Sequence, residues 1–271
     1  MYHLVAHAMP GTFLFETWAE GVGLYERLTT RLAEVVAVCV MPDHVHAMTR
    51  HSNREAFGAV VSAWTRWRNA GRGVRGRAVM RIPEPHHLAT RDKIRRSERY
   101  IHLNPCRARL VHDPLAWPLS SYRDAVGLGL RPCRAASHEP NRLHRYTVED
   151  ESVTADTSFL PNTHLGEPSV GEVGDAVAAL YRAPRSALRG RGEVRTTFIR
   201  AARVLTTATA GVIGEACGVT DRSVRAVAAT RTDETVLVSR ICRDPRLVPL
   251  DSGPLRTTPG ATAFMVRCPW W

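Results

Sequence analysis

Val35-Val36-Ala37-Val38-Cys39-Val40-Met41-Pro42-Asp43-His44-Val45-His46 opens with an apolar run, breaks at Pro42-Asp43 and resumes with two imidazoles one residue apart. The run predicts a buried strand, Pro42-Asp43 a turn, and His44 to Thr49 a second short strand. Residues two apart on a strand share a face, so His44 and His46 present their rings side by side. The companion stretch is Arg99-Tyr100-Ile101-His102-Leu103-Asn104-Pro105. Residues four apart on a helix are stacked neighbours, which puts Tyr100 and Asn104 on one face. Pro105 predicts that this helix stops just after Asn104, because proline has no N–H to give and its ring clashes with the preceding turn.

Working outward, Tyr2 to Phe15 reads as an initial strand and Glu16 to Leu32 as a helix with Val22, Tyr25, Leu28 and Leu32 on its apolar side. Asn53 to Asn69 is a second helix with a stripe of Phe57, Val60, Val61, Trp64 and Trp67. That stripe assigns both tryptophans to the core, although exposed rings could stack unpaired bases. Ala78 to Ile82 reads as a last strand, and the helix carrying Tyr100 begins near Thr90. This order predicts an α+β fold, a ferredoxin-like antiparallel sheet with helices on one face and the histidine strand near its centre.

Charge marks the organisation beyond that. Residues 66–109 hold twelve Arg and one Lys against three acids, 146–175 hold seven acids and no Arg or Lys, and 182–231 hold ten Arg against three acids. The expected division is a first module over 1–131, an acidic linker over 132–169, a helical module over 170–243 and an extended tail over 244–271. In the helical module a helix with apolar Val212, Ile213 and Ala216 stops at Gly218, Val219 fills the turn, Thr220 caps, and a new helix carries Val224 and Val227 inward. That is helix-turn-helix grammar, with glycine where the turn wants a positive φ.

The chain of 271 residues carries a formal net charge of +11. A polyanionic partner follows, nucleic acid before membrane. The six cysteines are scattered without CxxC spacing, which excludes a zinc knuckle and a disulfide framework. No charged-then-apolar leader and no bilayer-spanning run is read, so a cytoplasmic location is expected. Taken alone, the His44/His46 pair is compatible with a metal site or with an ordinary surface strand, and Tyr100 with a packing residue.

Taken together, the residues resemble a family. Met-Pro-Asp-His-Val-His, then Tyr-Ile-His-Leu-Asn-Pro-Cys-Arg-Ala-Arg-Leu-Val, then Trp117-Pro118-Leu119-Ser120-Ser121-Tyr122 are similar to motifs of the single-tyrosine HUH transposases, in their REP-associated tyrosine transposase branch. The resemblance covers Met1 to about Asp124. It departs from the family at Gly71 to Thr90, which is short and carries Pro83, Pro85 and His86-His87.

The resemblance implies an enzyme that cuts and rejoins single-stranded hairpin or palindromic repeat DNA through a 5′-phosphotyrosine intermediate. Tyr100 would be the nucleophile; a free phenol ionises near pH 10, at about three units above neutrality, so it needs help losing its proton. His44, His46 and Asn104 would hold a divalent metal, Mg²⁺ or Mn²⁺. Arg95, Arg96, Arg99, Arg107 and Arg109 flank Tyr100 and are candidate phosphate grips. His102 projects to another face and is left out of this set. The segment Arg182 to Thr230 is similar to the helix-turn-helix of bacterial replication-initiator C-terminal domains, which implies duplex DNA contact through Arg222, Ser223 and Arg225. A monomer and a homodimer are both compatible with this reading. The rival readings are a plasmid-type replication or relaxation nuclease, and a DNA-binding regulator that keeps the fold without transposition.

Overall fold

A computed structural model of the chain describes residues 1–74, 79–130, 132–133, 136–155, 159–162 and 166–251. These fall into two compact units, the first reaching residue 155 apart from 128–130, the second comprising 128–130 and the rest to 251.

The first unit contains β1 (Tyr2–His7), α1 (Trp18–Arg31), β2 (Val35–Val40), β3 (His44–Thr49), α2 (Arg54–Gly71), β4 (His86–His87), α3 (Arg91–Arg107), α4 (Tyr122–Ala125) and α5 (Pro140–Val148). The strands form one antiparallel sheet in the order β2-β3-β1-β4. His46 therefore lies between Cys39 on one neighbour and Val5 on the other. β1 stops at His7 rather than Phe15, because Gly11 takes a φ of +76° and turns the chain, with Thr12 N–H donating to Met9 O. Leu14 and Phe15 then drop into the core. Thr17 starts α1 through a capping box with Glu20, and Thr90 caps α3.

Both faces of the sheet are covered. Side chains alternate along a strand, so His44 and His46 point one way and Val45 and Ala47 the other. α3 covers the histidine face through Tyr100 and Asn104, while Leu4, Ala6, Val38, Val40, Val45 and Ala47 are equally buried beneath α1 and α2. The expectation of helices on one face is corrected accordingly. β2 meets the segment 119–121 along its outer edge: Val40 N–H donates to Leu119 O and Ser121 N–H to Val38 O, both at 2.9 Å. That segment blunts an edge that would otherwise expose a row of unpaired backbone groups.

Four further expectations change. The fourth strand is His86–His87, paired with Tyr2 and His3; within the expected 78–82 only Val79 makes a bridge, to Ala8, and residue 78 is outside the described residues. α3 does not stop at Asn104 but continues through Pro105 to Arg107, because a proline in the last turn forfeits one hydrogen bond while Ala108 N–H still reaches Asn104 O. Arg109, at a φ of +55°, ends it. The stretch expected as a linker holds α5, which belongs to the first unit, packed on α3. Trp67 is 59% exposed, whereas Trp64 is buried; Arg27 lies over both rings.

The second unit contains α6 (Val170–Leu180), α7 (Glu193–Leu205), α8 (Ala210–Cys217), α9 (Asp221–Ala226) and α10 (Asp233–Ile241). Ile213 and Val224 are buried between α8 and α9, and Gly218 takes a φ of +71°. Gly214 is required by close approach, since a Cβ there would meet Val219 O at 2.5 Å. Val224 faces inward as expected, Val227 is half-buried, and Val212 is exposed. The expected tail is not extended at its start: Leu247 and Leu250 are buried, and Leu250 N–H donates to Ala183 O at 3.0 Å. Residues 252–271 of that tail lie outside the described residues. Among the described residues no helix is long and apolar enough to cross a membrane.

Candidate active site

The site forms where α3 crosses the histidine face of β3. On α3, Tyr100, Asn104 and Arg107 fall on one stripe at spacings of four and three. The structure brings His44, His46, Tyr100 and Asn104 together. The rings of His44 and His46 stand edge to face with centroids 4.8 Å apart, and His46 meets Tyr100 edge to face at 5.5 Å. Asn104 Oδ1 lies 3.2 Å from His44 Nε2. Its Nδ2 donates to the carbonyl of Tyr100 at 3.2 Å, which fixes the amide so that the oxygen faces the imidazole.

His44 is oriented from behind by the neighbouring turn. Its Nδ1 lies 2.7 Å from Asp43 Oδ1, and an ionised carboxylate only accepts, so Nδ1 carries the proton. Burial alone would raise the Asp43 carboxyl, but its hydrogen bond to His44 and the nearby imidazole charge outweigh that and hold it below its ordinary value. Nε2 is then the nitrogen that faces the Asn104 carbonyl oxygen. The contact is attractive when a proton or a cation lies between the two atoms.

Two further histidines arrive from β1, and no pattern in the sequence singles them out. His3 Nε2 lies 3.0 Å from His46 Nδ1, and the His7 ring stacks on His44 with centroids 5.5 Å apart. The antiparallel register, His7 opposite His44 and Val5 opposite His46, places them there. Burial first, and like-charged imidazoles second, push His46 well below the ordinary histidine range. Burial and the nearby His86 bring His3 down to about 4. Burial and His44 lower His7, against a smaller opposing pull from Asp43. His46 and His3 are therefore neutral at pH 7, with ring nitrogens available as lone-pair donors.

This donor set fits a divalent cation. Two imidazoles, His46 held neutral by burial, and a fixed amide oxygen converge, and a carboxylate orients the other imidazole from its far side, as outer partners of metal ligands commonly do. Among the described residues there is no group of three or more His, Cys, Asp and Glu side chains placed to hold a metal. The Asn104 amide oxygen would be the third donor beside His44 and His46.

Tyr100 is buried at 4% exposure, and the Arg107 guanidinium lies 5.1 Å over its ring. Arg99 lies beside it and stacks on Tyr146 of α5 at 4.6 Å; Arg95 stacks on the same ring at 5.1 Å. Arg96 and Arg109 are exposed. His102 is buried away from the site, its Nδ1 3.3 Å from Ser120 Oγ. In the second unit Arg222, Ser223 and Arg225 are exposed on α9, where Arg225 pairs with Asp221 at 2.8 Å and Ser223 Oγ lies 3.0 Å from Thr220 Oγ1.

No family model matches the sequence. No curated protein matches it either. Among solved structures, the chain is similar to a REP-associated tyrosine transposase bound to a REP hairpin, with 16% sequence identity, a TM-score of 0.36, and coverage of 58% of this chain and 91% of that one. A likeness this remote says nothing about the chemistry of the site.

Proposed function

We propose that the chain is a metal-dependent single-stranded DNA endonuclease and strand transferase of the tyrosine transposase kind, acting on hairpin or palindromic repeat DNA through Tyr100. The observation that carries this reading is the seating of Tyr100 and Asn104, one helical turn apart, against the paired imidazoles of His44 and His46. The strand order β2-β3-β1-β4 supports a ferredoxin-like sheet beneath that site, and the net charge of +11 supports a nucleic-acid substrate.

His44, His46 and Asn104 would hold Mg²⁺ or Mn²⁺, which when bound polarises the scissile phosphate as a Lewis acid. The Tyr100 phenol oxygen attacks phosphorus, its proton leaves, and the P–O3′ bond breaks; the 5′ phosphoryl group stays on tyrosine and the released 3′ oxygen takes up a proton. Arg107, over the phenol ring, places positive charge where negative charge develops. Since the phosphoester is kept in the tyrosine link, attack by another 3′-hydroxyl rejoins DNA without a nucleotide cofactor. In the second unit, exposed Arg222, Ser223 and Arg225 support duplex contact through the α8–α9 pair.

One observation favours a second reading, a DNA-binding regulator that has kept the fold: Tyr100 is nearly inaccessible. Incubating the chain with Mn²⁺ or Mg²⁺ and a labelled single-stranded hairpin separates the two. A covalent adduct surviving denaturing electrophoresis supports the enzyme, and hairpin binding with no adduct supports the regulator.

A further inference from the structure

The acidic stretch that follows α5 does something a linker would not. Asp150 reaches back to α3 and accepts a hydrogen bond from Arg107 Nη2 at 2.9 Å, with Arg99 Nη2 at 3.9 Å from the same oxygen. Ser152 holds the other carboxylate oxygen, its hydroxyl donating at 2.6 Å. Arg107 is the residue that lies over the Tyr100 ring. One carboxylate thus sits between two guanidinium groups directly beside the proposed nucleophile. Burial would raise this carboxyl, but Ser152 and Arg107 outweigh it and keep it ionised.

Its partners remain under-supplied. Two positive charges face one negative charge, the Arg99 contact is beyond hydrogen-bonding length, and Arg99 Nε is buried with no acceptor among the described residues. A phosphodiester offers more acceptor oxygens than Asp150 and suits the forked geometry of arginine. The segment that carries Asp150 also bears exposed Glu149 and Glu151, and there is no Arg or Lys from 146 to 175. Approaching DNA repels that segment while attracting the arginines beneath it.

We infer that Arg99 and Arg107 form a phosphodiester-binding site beside Tyr100, and that the Asp150 carboxylate fills it as a built-in competitor until single-stranded DNA displaces the strap that carries it. The inference rests on the reading of single-stranded DNA as substrate. It also accounts for the burial of Tyr100, since the arginine above its ring is held in place by Asp150.

The test is the affinity of the full chain for fluorescein-labelled oligothymidine, in EDTA so that no cleavage intervenes, by fluorescence anisotropy. Asp150→Asn should bind about tenfold tighter than wild type, the scale of one charge-assisted hydrogen bond. Glu151→Gln removes the same charge one residue away and should stay within about twofold, as for an exposed group. Adding Arg107→Ala to Asp150→Asn should erase the gain. Equal or weaker binding by Asp150→Asn, or no oligothymidine binding by either protein, overturns the inference. Hydrogen exchange of wild type covers the case in which Asp150→Asn does not fold: amides of residues 140–152 should exchange faster with oligothymidine present, and unchanged or slower exchange overturns the inference. Failure of the nuclease reading looks different: the affinity gain persists while no covalent adduct forms with metal. Adduct formation with flat affinities leaves the nuclease standing and removes the strap.

Discussion

Asn104 Oδ1 and His44 Nε2 face each other at 3.2 Å, and the groups behind them leave neither free to turn away. The Tyr100 carbonyl holds the Asn104 amide, and Asp43 holds the opposite nitrogen of His44. The two atoms pinned in this way, with His46 beside them, would be the donor set of the proposed metal ion.

Asn104→Ala removes an oxygen from that set, so Mn²⁺ affinity, read by titration calorimetry or electron paramagnetic resonance, should fall by at least about 100-fold, beyond the usual effect of an outer-shell change. Asn104→Asp keeps an oxygen in place and should retain binding within about tenfold of wild type. Equal Mn²⁺ affinity in wild type and Asn104→Ala removes the amide from the ligand set.

Asp43→Asn leaves the size of the side chain but loses the obligate acceptor that keeps the proton on His44 Nδ1. Mn²⁺ affinity should drop about 10- to 100-fold with the thermal midpoint little changed. A large loss of stability with unchanged Mn²⁺ affinity would assign Asp43 to the turn rather than to the histidine.

Acid should weaken the fold through this site. His3 titrates near 4 in the folded protein and near 6.5 when unfolded, so between those values the unfolded chain binds more protons. Its contribution is whole above pH 6.5, declines as pH falls, and is exhausted near 4; the size is on the order of 3 kcal/mol. Urea midpoints across this range should show a shallower acid limb for His3→Gln than for wild type. Parallel profiles would mean that His3 is not held neutral.

Truncation after residue 158 keeps α5 and Asp150 with the first unit. The shortened chain should lose duplex affinity while retaining adduct formation on short single strands. Undiminished duplex affinity would take Arg222, Ser223 and Arg225 out of the DNA interface.

The local elements were legible because their signals are local. Apolar alternation in Val35–Val40, the Pro42-Asp43 break and the helical spacing of Tyr100 and Asn104 depend only on near neighbours, and each appears as an element or a shared face. What the sequence hid depends on register. His3 and His7 join the site only because β1 pairs with β3 so that His7 faces His44, and nothing in Tyr2–His7 specifies that alignment. Two residues at β4 were obscured by the flanking prolines. Pro105 misled because a proline in a final turn removes a single hydrogen bond, which the rest of α3 absorbs. The acidic stretch after Tyr146 resembled a linker by composition, since charge alone does not reveal that Arg99 and Arg107 wait for it on another helix.

The central claim is that Tyr100 forms a covalent bond to DNA. The most direct measurement is denaturing electrophoresis of the full chain incubated with Mn²⁺ and a labelled single-stranded hairpin, beside Tyr100→Phe, with hairpin binding measured for both. The prediction is a shifted, heat-stable band for wild type, none for Tyr100→Phe, and binding within about twofold, since only one hydroxyl has been removed. An adduct of equal yield in Tyr100→Phe, or none in wild type that binds the hairpin, contradicts it.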